Sequence, residues 1–252
     1  MTSIKDLAKM IDHSLLHPTM TDDDLLAGCN LAKHYDVASV CIKPYAVHLA
    51  REALDDSDVL VGTVVGFPHG NSTTDIKFEE MLRACRDGAK EIDMVINIGK
   101  ALQQDLEYIH REIETICVGC HAHGAILKVI FENDFILDDP LKIKLCEICT
   151  DLEVDFVKTS TGYGFVKGED GHYGYQGATH HDLKLMRKHS GEKVQVKAAG
   201  GVRTLDDLLA VRELGVTRVG ATATAPILEE AKKRFGLARD PSRLSPDVPE
   251  GY

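Results

Sequence analysis

The chain contains no run approaching 18 uninterrupted apolar residues, about the length a membrane-spanning helix requires. Its opening residues, MTSIKDLAKM, lack the apolar core that follows the basic segment of a signal peptide. A cytoplasmic protein without a membrane partner is the expectation. Positive charge is also scarce: 29 Lys and Arg stand against 40 Asp and Glu, for a net charge of -11. Such a surface repels polyanions, which excludes nucleic acid as a main partner and leaves room only for a local basic pocket. No GxGxxG follows the first apolar run, so the dinucleotide-binding fingerprint is missing. No Pro- or Ser-rich linker and no shift in composition divides the 252 residues.

What is present begins with seven cysteines, an odd number that suits reduced thiols better than a disulfide framework. Cys117-Val-Gly-Cys120, followed by His121 and His123, and Cys146-Glu-Ile-Cys149 have zinc-like spacing. Both pairs fall in amphipathic helical patterns, whereas structural zinc sites hold their cysteines on tight turns. They read as small hydrophobes packed inside helices, with no metal.

After a short helix over residues 3–10, brief apolar runs alternate with longer segments of 3.6-residue period. The runs lie at residues 11–16, 38–42, 60–65, 91–96, 126–131, 155–158, 194–198 and 218–220. Thr21 with Asp22, Asp23 and Asp24, Pro44, Ser72-Thr73-Thr74-Asp75, and Thr204 with Asp206 and Asp207 mark helix starts between them. Eight strands, each followed by a helix, predict an α/β fold of the (β/α)8 or TIM-barrel type, in a single domain over residues 1–236. A doubly wound sheet is the competing arrangement. Two segments fall outside the repeat: FVKGEDGHYGYQ at 165–176, and a Pro-punctuated tail at 237–252 expected to be flexible.

In a barrel of this kind function resides at the C-terminal ends of the strands. Asp12 lies on the first strand, Cys41 ends the second, Asp93 is inside the fourth, and Lys128, Lys158 and Lys197 are on the fifth, sixth and seventh. Lysine on a buried strand is expensive unless it is paired or neutral. Three lysines on successive strands repel one another, and the least costly relief is for one to lose its proton. A neutral amine is the nucleophile that forms a Schiff base with a carbonyl. The residues alone do not choose among the three. Asp93 either pairs with a lysine for stability or also relays protons, and the company it keeps favours the relay.

A second constellation suits an anion. Gly200, Gly201 and Arg203 follow the seventh strand, and Gly220, Ala221 and Thr222 follow the eighth. Glycines there let backbone N–H groups approach a phosphate at a helix N-terminus. Thr161 and Gly162 on the sixth loop close the same pocket. His69, in Phe67-Pro68-His69-Gly70, could touch substrate or simply be satisfied by backbone, and the remaining histidines, including His180 and His181, read as surface residues.

Taken together, IDHSLLHP (11–18), SVCIKPY (39–45), VVGFPHGNSTTDIK (64–77), EIDMVINIG (91–99), LKVIFE (127–132), DFVKTSTGYG (155–164), VKAAGGVRT (196–204) and VGATAT (219–224) resemble the deoxyribose-phosphate aldolases over nearly the whole chain to about Gly236. The pairing of DFVKTSTG with KAAGGVR is the specific part. The resemblance implies a class I aldolase that reversibly cleaves 2-deoxy-D-ribose 5-phosphate to D-glyceraldehyde 3-phosphate and acetaldehyde without metal or organic cofactor. By position, Lys158 forms the Schiff base, Lys197 lowers its pKa, and Asp93 with Lys197 and a water moves protons. Gly200, Gly201 and the 220–222 loop hold the phosphate. Partners are small aldehydes and sugar phosphates, and pairing of the outer helices makes a homo-oligomer, with a dimer favoured, the expectation. Two departures bear on the phosphorylated end. The family's GxSS-type loop reads Gly-Ala-Thr-Ala, without a hydroxyl at Ala223, and the link after KTSTG is lengthened by the 165–176 insert. A related class I aldolase acting on a different sugar or acceptor is therefore the alternative, and a barrel that only binds a sugar phosphate is a third reading. Tyr252 could bring a phenol to the proton relay, or simply end a frayed tail.

Overall fold

The structure, a computed structural model, describes residues 3–168 and 170–235. Eight parallel strands close a barrel in the order β1 (Ile11–Leu15), β2 (Ser39–Ile42), β3 (Leu60–Val65), β4 (Glu91–Val95), β5 (Ile126–Ile130), β6 (Phe156–Lys158), β9 (Gln195–Ala199) and β10 (Arg218–Ala221), with β10 returning to β1. Each matches an expected apolar run to within a residue at either end. Between β6 and β9 the insert forms its own antiparallel hairpin, β7 (Val166–Lys167) with β8 (Tyr173–Gly174).

Helices α1 (Ile4–Ala8), α2 (Asp22–Tyr35), α3 (Val47–Ala53), α4 (Thr74–Asp87), α5 (Ile98–Leu102), α6 (Leu106–Ala122), α7 (Asp139–Asp151), α8 (His180–His189), α9 (Leu205–Glu213) and α10 (Thr224–Arg234) surround the barrel. Their starts follow local chemistry. Ser3, Thr21 and Thr204 each accept from the backbone N–H three residues on, and Asp6, Asp24 and Asp207 reach back to the cap's own N–H. These reciprocal boxes satisfy donors that a helix otherwise leaves open. Pro44 opens a 3-10 turn over Pro44–Ala46 that leads into α3. The first helix stops at Ala8, short of residue 10, with Ser3 as its cap.

Cys117 and Cys120 lie in α6, Cys146 and Cys149 in α7, all buried and all free. Burial pushes the thiols of Cys117 and Cys146 up to about 11, as expected for helix cysteines acting as small apolar groups. No helix among the described residues is long and apolar enough to cross a membrane. The expected flexible tail at 237–252, with Tyr252, lies outside the described residues.

Candidate active site

The strand register sets the site. Lys158 lies directly beside Lys197 across β6 and β9, Lys197 beside Arg218 across β9 and β10, and Asp93 beside Lys128 across β4 and β5. Like charges directly opposite one another destabilise a sheet, and here a carboxylate offsets the repulsion. Lys158 Nζ and Lys197 Nζ each donate to the same Asp93 oxygen, Oδ2, at 2.7 Å. Lys197 also donates to Asp12 Oδ2 at 2.5 Å, and Lys128 donates to Asp12 Oδ2 at 2.9 Å and Glu91 Oε2 at 2.5 Å. Arg218 completes the cluster on Asp12 and Glu91. Every one of these lysines and carboxylates is at most 3% exposed.

Three carboxylates thus face four bases in the barrel interior. Charge balances when one base is neutral, and Lys158 is placed to be that one. Burial lowers its pKa and Lys197 lowers it further, with Asp93 the main opposing influence. Burial acts on Lys197 and Lys128 too, but Asp12 and Asp93, joined by Glu91 for Lys128, more than offset it and raise both. Asp93 and Asp12 are held below the ordinary carboxylate range: burial opposes this, but their cationic neighbours prevail. The three lysines that the sequence left equivalent are therefore electrostatically distinct.

Above the cluster opens a cavity of about 440 Å³ lined by Lys158, Lys197 and Cys41 at its base. Thr161, Gly162, Gly200, Gly201, Gly220 and Thr222 also line it, so the expected anion cradle and the lysine pair share one space. Gly200 and Gly201 both have positive φ, 78° and 92°, a conformation that suits glycine. Burial pushes the Cys41 thiol up to about 11, so it is a neutral group at this wall. Ala223 does not line the cavity, whereas Thr222 does.

Not every expected residue reaches the cavity. Asp12 and Lys128, expected at the site with the other strand-borne polar residues, are 0% exposed and absent from its lining. Their side chains are drawn into the ionic layer beneath by Glu91 and Arg218, two residues the sequence reading passed over. His69 is exposed and outside the lining, and His180 and His181 are exposed as expected. His13 is the exception among the histidines read as surface residues: it is 7% exposed, lines the cavity and bonds Thr224 Oγ1 through Nδ1 at 2.9 Å. Burial pushes it down to about 4, so it is neutral near pH 7. One residue after Asp12, it falls on the opposite face of β1, toward α10, and that alternation was the available signal for its burial.

Glu132 was also missed. It follows β5 with φ 61° and accepts from the N–H of Thr161 at 3.2 Å and from that residue's hydroxyl. This fastens the loop that carries Thr161 and Gly162. Asp139, His181 and Asp182 could in principle hold a cation. Lys142 Nζ already bonds both carboxylates, at 3.1 and 2.6 Å.

The model of the DeoC/LacD family aldolases matches residues 7–223. A deoxyribose-phosphate aldolase of Rhodopirellula baltica is 51% identical over 92% of this chain and 92% of its own. One from Caldanaerobacter subterraneus is 45% identical over 92% of this chain and 96% of its own. The solved tetrameric deoxyribose phosphate aldolase of Aeropyrum pernix superposes with TM-score 0.81 at 26% identity, covering 92% of this chain and 93% of that one. With a family model spanning most of its length and relatives of this similarity, the chain belongs to the DeoC/LacD family of aldolases.

Proposed function

We propose that the chain is a class I aldolase that reversibly cleaves 2-deoxy-D-ribose 5-phosphate to D-glyceraldehyde 3-phosphate and acetaldehyde. The observation that carries this reading is the single Asp93 oxygen shared at 2.7 Å by Lys158 and Lys197 at the base of the cavity. Uncharged Lys158 Nζ attacks C1 of the open-chain aldehyde. The carbonyl oxygen takes up two protons, one given up by the attacking nitrogen and one from the relay, and leaves as water, giving an iminium. A base removes the proton of the C3 hydroxyl, the C2–C3 electron pair moves into the iminium, and glyceraldehyde 3-phosphate departs from the enamine. Protonation at C2 and hydrolysis of the imine release acetaldehyde and restore the amine. Asp93, Lys197 and a water supply and accept these protons. Gly162, Gly200, Gly201, Gly220, Thr161 and Thr222 hold the phosphorylated end, and Cys41 packs beside the reacting carbons. Asp12 serves from below by keeping Lys197 charged, and Lys128 holds Asp12 in place.

The thiol side of the cavity carries no negative charge, and the hydroxyl missing at Ala223 falls outside the lining, both consistent with a phosphorylated substrate. A homo-oligomer, with a dimer favoured, and a cytoplasmic location belong to the same reading. Borohydride reduction in the presence of acetaldehyde, followed by peptide mass mapping, is expected to leave an ethyl adduct on Lys158. A coupled assay is expected to detect glyceraldehyde 3-phosphate from deoxyribose 5-phosphate. An adduct on a different lysine, or none, removes the mechanism; an adduct on Lys158 without cleavage of this sugar moves the assignment to an aldolase with another acceptor.

A further inference from the structure

The insert between β6 and β9 is a wall of the cavity. Phe165 and Tyr175 both line it, their rings meeting edge to face with centroids 5.6 Å apart. The returning limb of the insert is tied down twice. Asp134, two residues after Glu132, accepts from the N–H of Gln176 at 2.5 Å and of Gly177 at 3.1 Å. Ala178 N–H then donates to Gly200 O at 3.0 Å. Gly177 packs so closely on that carbonyl that a Cβ there would lie 2.7 Å from Gly200 O.

This tie orients the cradle. In a trans peptide the C=O and the following N–H point in opposite directions, so holding Gly200 O against the insert turns the Gly201 N–H away from it. The Tyr175 ring then covers Gly200 itself: a Cβ on Gly200 would meet Tyr175 Cε2 at 3.1 Å. The ring packs against the same backbone whose N–H groups suit an anion, and Arg203 and Thr222 line the same cavity.

We propose that Tyr175 is a specificity-determining residue: its ring, braced by Phe165 and by the anchored Gln176–Ala178 limb, holds the Gly200–Gly201 turn in the shape that accepts the phosphorylated end of the substrate and forms the wall against which the adjoining carbons pack. The inference rests on the aldolase reading and deepens it. It concerns the acceptor end alone, since Tyr175 belongs to the insert and Lys158 to the base of the cavity.

The test uses the full chain and its Tyr175→Ala and Tyr175→Phe variants, with kcat/KM measured for cleavage of 2-deoxyribose 5-phosphate and of unphosphorylated 2-deoxyribose. Tyr175→Ala is expected to lower the ratio of the two by roughly tenfold, chiefly through KM for the phosphate ester, the scale of a lost aromatic packing contact and a loosened anion site. Tyr175→Phe, which keeps the ring, is expected to hold the ratio within about twofold. Equal losses on both sugars, an unchanged ratio in Tyr175→Ala, or a Phe variant as impaired as the Ala variant would each overturn the proposal. If the unsubstituted chain cleaves neither sugar, the aldolase reading falls and this inference with it, an outcome distinct from a wild-type ratio that survives loss of the ring.

Discussion

Lys158, Lys128 and Lys197 are chemically identical side chains in one barrel, and only their partners separate them. Lys128 touches three carboxylates and Lys197 two, while Lys158 touches one that is already shared. The surplus base is therefore Lys158, and its replacement should be the least costly. Lys158→Met is expected to abolish turnover yet leave the chain at least as stable as before, because three carboxylates then face three bases. Lys197→Met and Lys128→Met each strip a paired cation from both Asp12 and Asp93 and are expected to cost about 3–5 kcal/mol each. Urea denaturation at neutral pH reads the difference. The pH dependence follows from the lowered pKa of Lys158. The unfolded chain binds that proton more tightly, so the wild type carries a penalty that begins as pH falls below the ordinary lysine value of 10.5 and is complete below the folded pKa. The relative gain of Lys158→Met should accordingly be full at low pH and fade as pH rises toward 10.5. A gain that grows with pH would mean the wrong base has been taken as neutral.

At the scale of the element, the end of β4 is held by a pair on the outer helices. Lys77 on α4 donates to Val95 O at 2.8 Å and to Glu112 Oε1 at 2.7 Å, and Glu112 on α6 accepts from Asn97 N–H at 2.9 Å. Both side chains are 0% exposed. The clamp grips the strand two residues beyond Asp93. Glu112→Ala is expected to cost about 3–5 kcal/mol by leaving Lys77 buried alone, and to lower kcat through a displaced Asp93. Lys77→Met combined with Glu112→Leu should recover much of the stability. An exposed-like loss under 1 kcal/mol would show that water reaches the pair. This clamp was not legible in the sequence: a lone lysine on an amphipathic helix ordinarily reaches solvent, and a partner 35 residues away leaves no periodic trace. The strands were legible because their apolar runs are continuous, and the helix starts because Thr21 and Thr204 carry their partners three residues on. The insert showed only as Gly- and Tyr-rich. Two-residue strands such as Val166–Lys167 and Tyr173–Gly174 are too short to register as alternation.

For the whole molecule, the barrel interior carries an ionic layer where apolar layers are common. Arg218 on β10 reaches Glu91 on β4, so the layer joins strands that are not neighbours, and the Phe156 ring lies 5.6 Å from Arg218 Cζ. The sequence offered Asp12, Asp93 and the lysines as one set. It could not divide them into cavity and foundation, because that division depends on how strand stagger sets their depth. If the foundation works as a unit, its members must couple. Arg218→Met removes a cation and leaves Asp12 and Glu91 underpaired, while Glu91→Met removes a carboxylate and leaves Lys128 and Arg218 in excess. The double replacement restores the count and is expected to cost less than the summed singles by about 1–3 kcal/mol in denaturation. The same logic reaches the chemistry above. Arg218→Met makes the interior more negative, draws a proton onto Lys158, and should move the acid limb of acetaldehyde trapping to higher pH. Glu91→Met should move it the opposite way, and the pair should return it toward the starting profile. Additive losses within about 0.5 kcal/mol, or trapping profiles that do not move with the charge count, would mean that Lys158 takes its reactivity from burial alone.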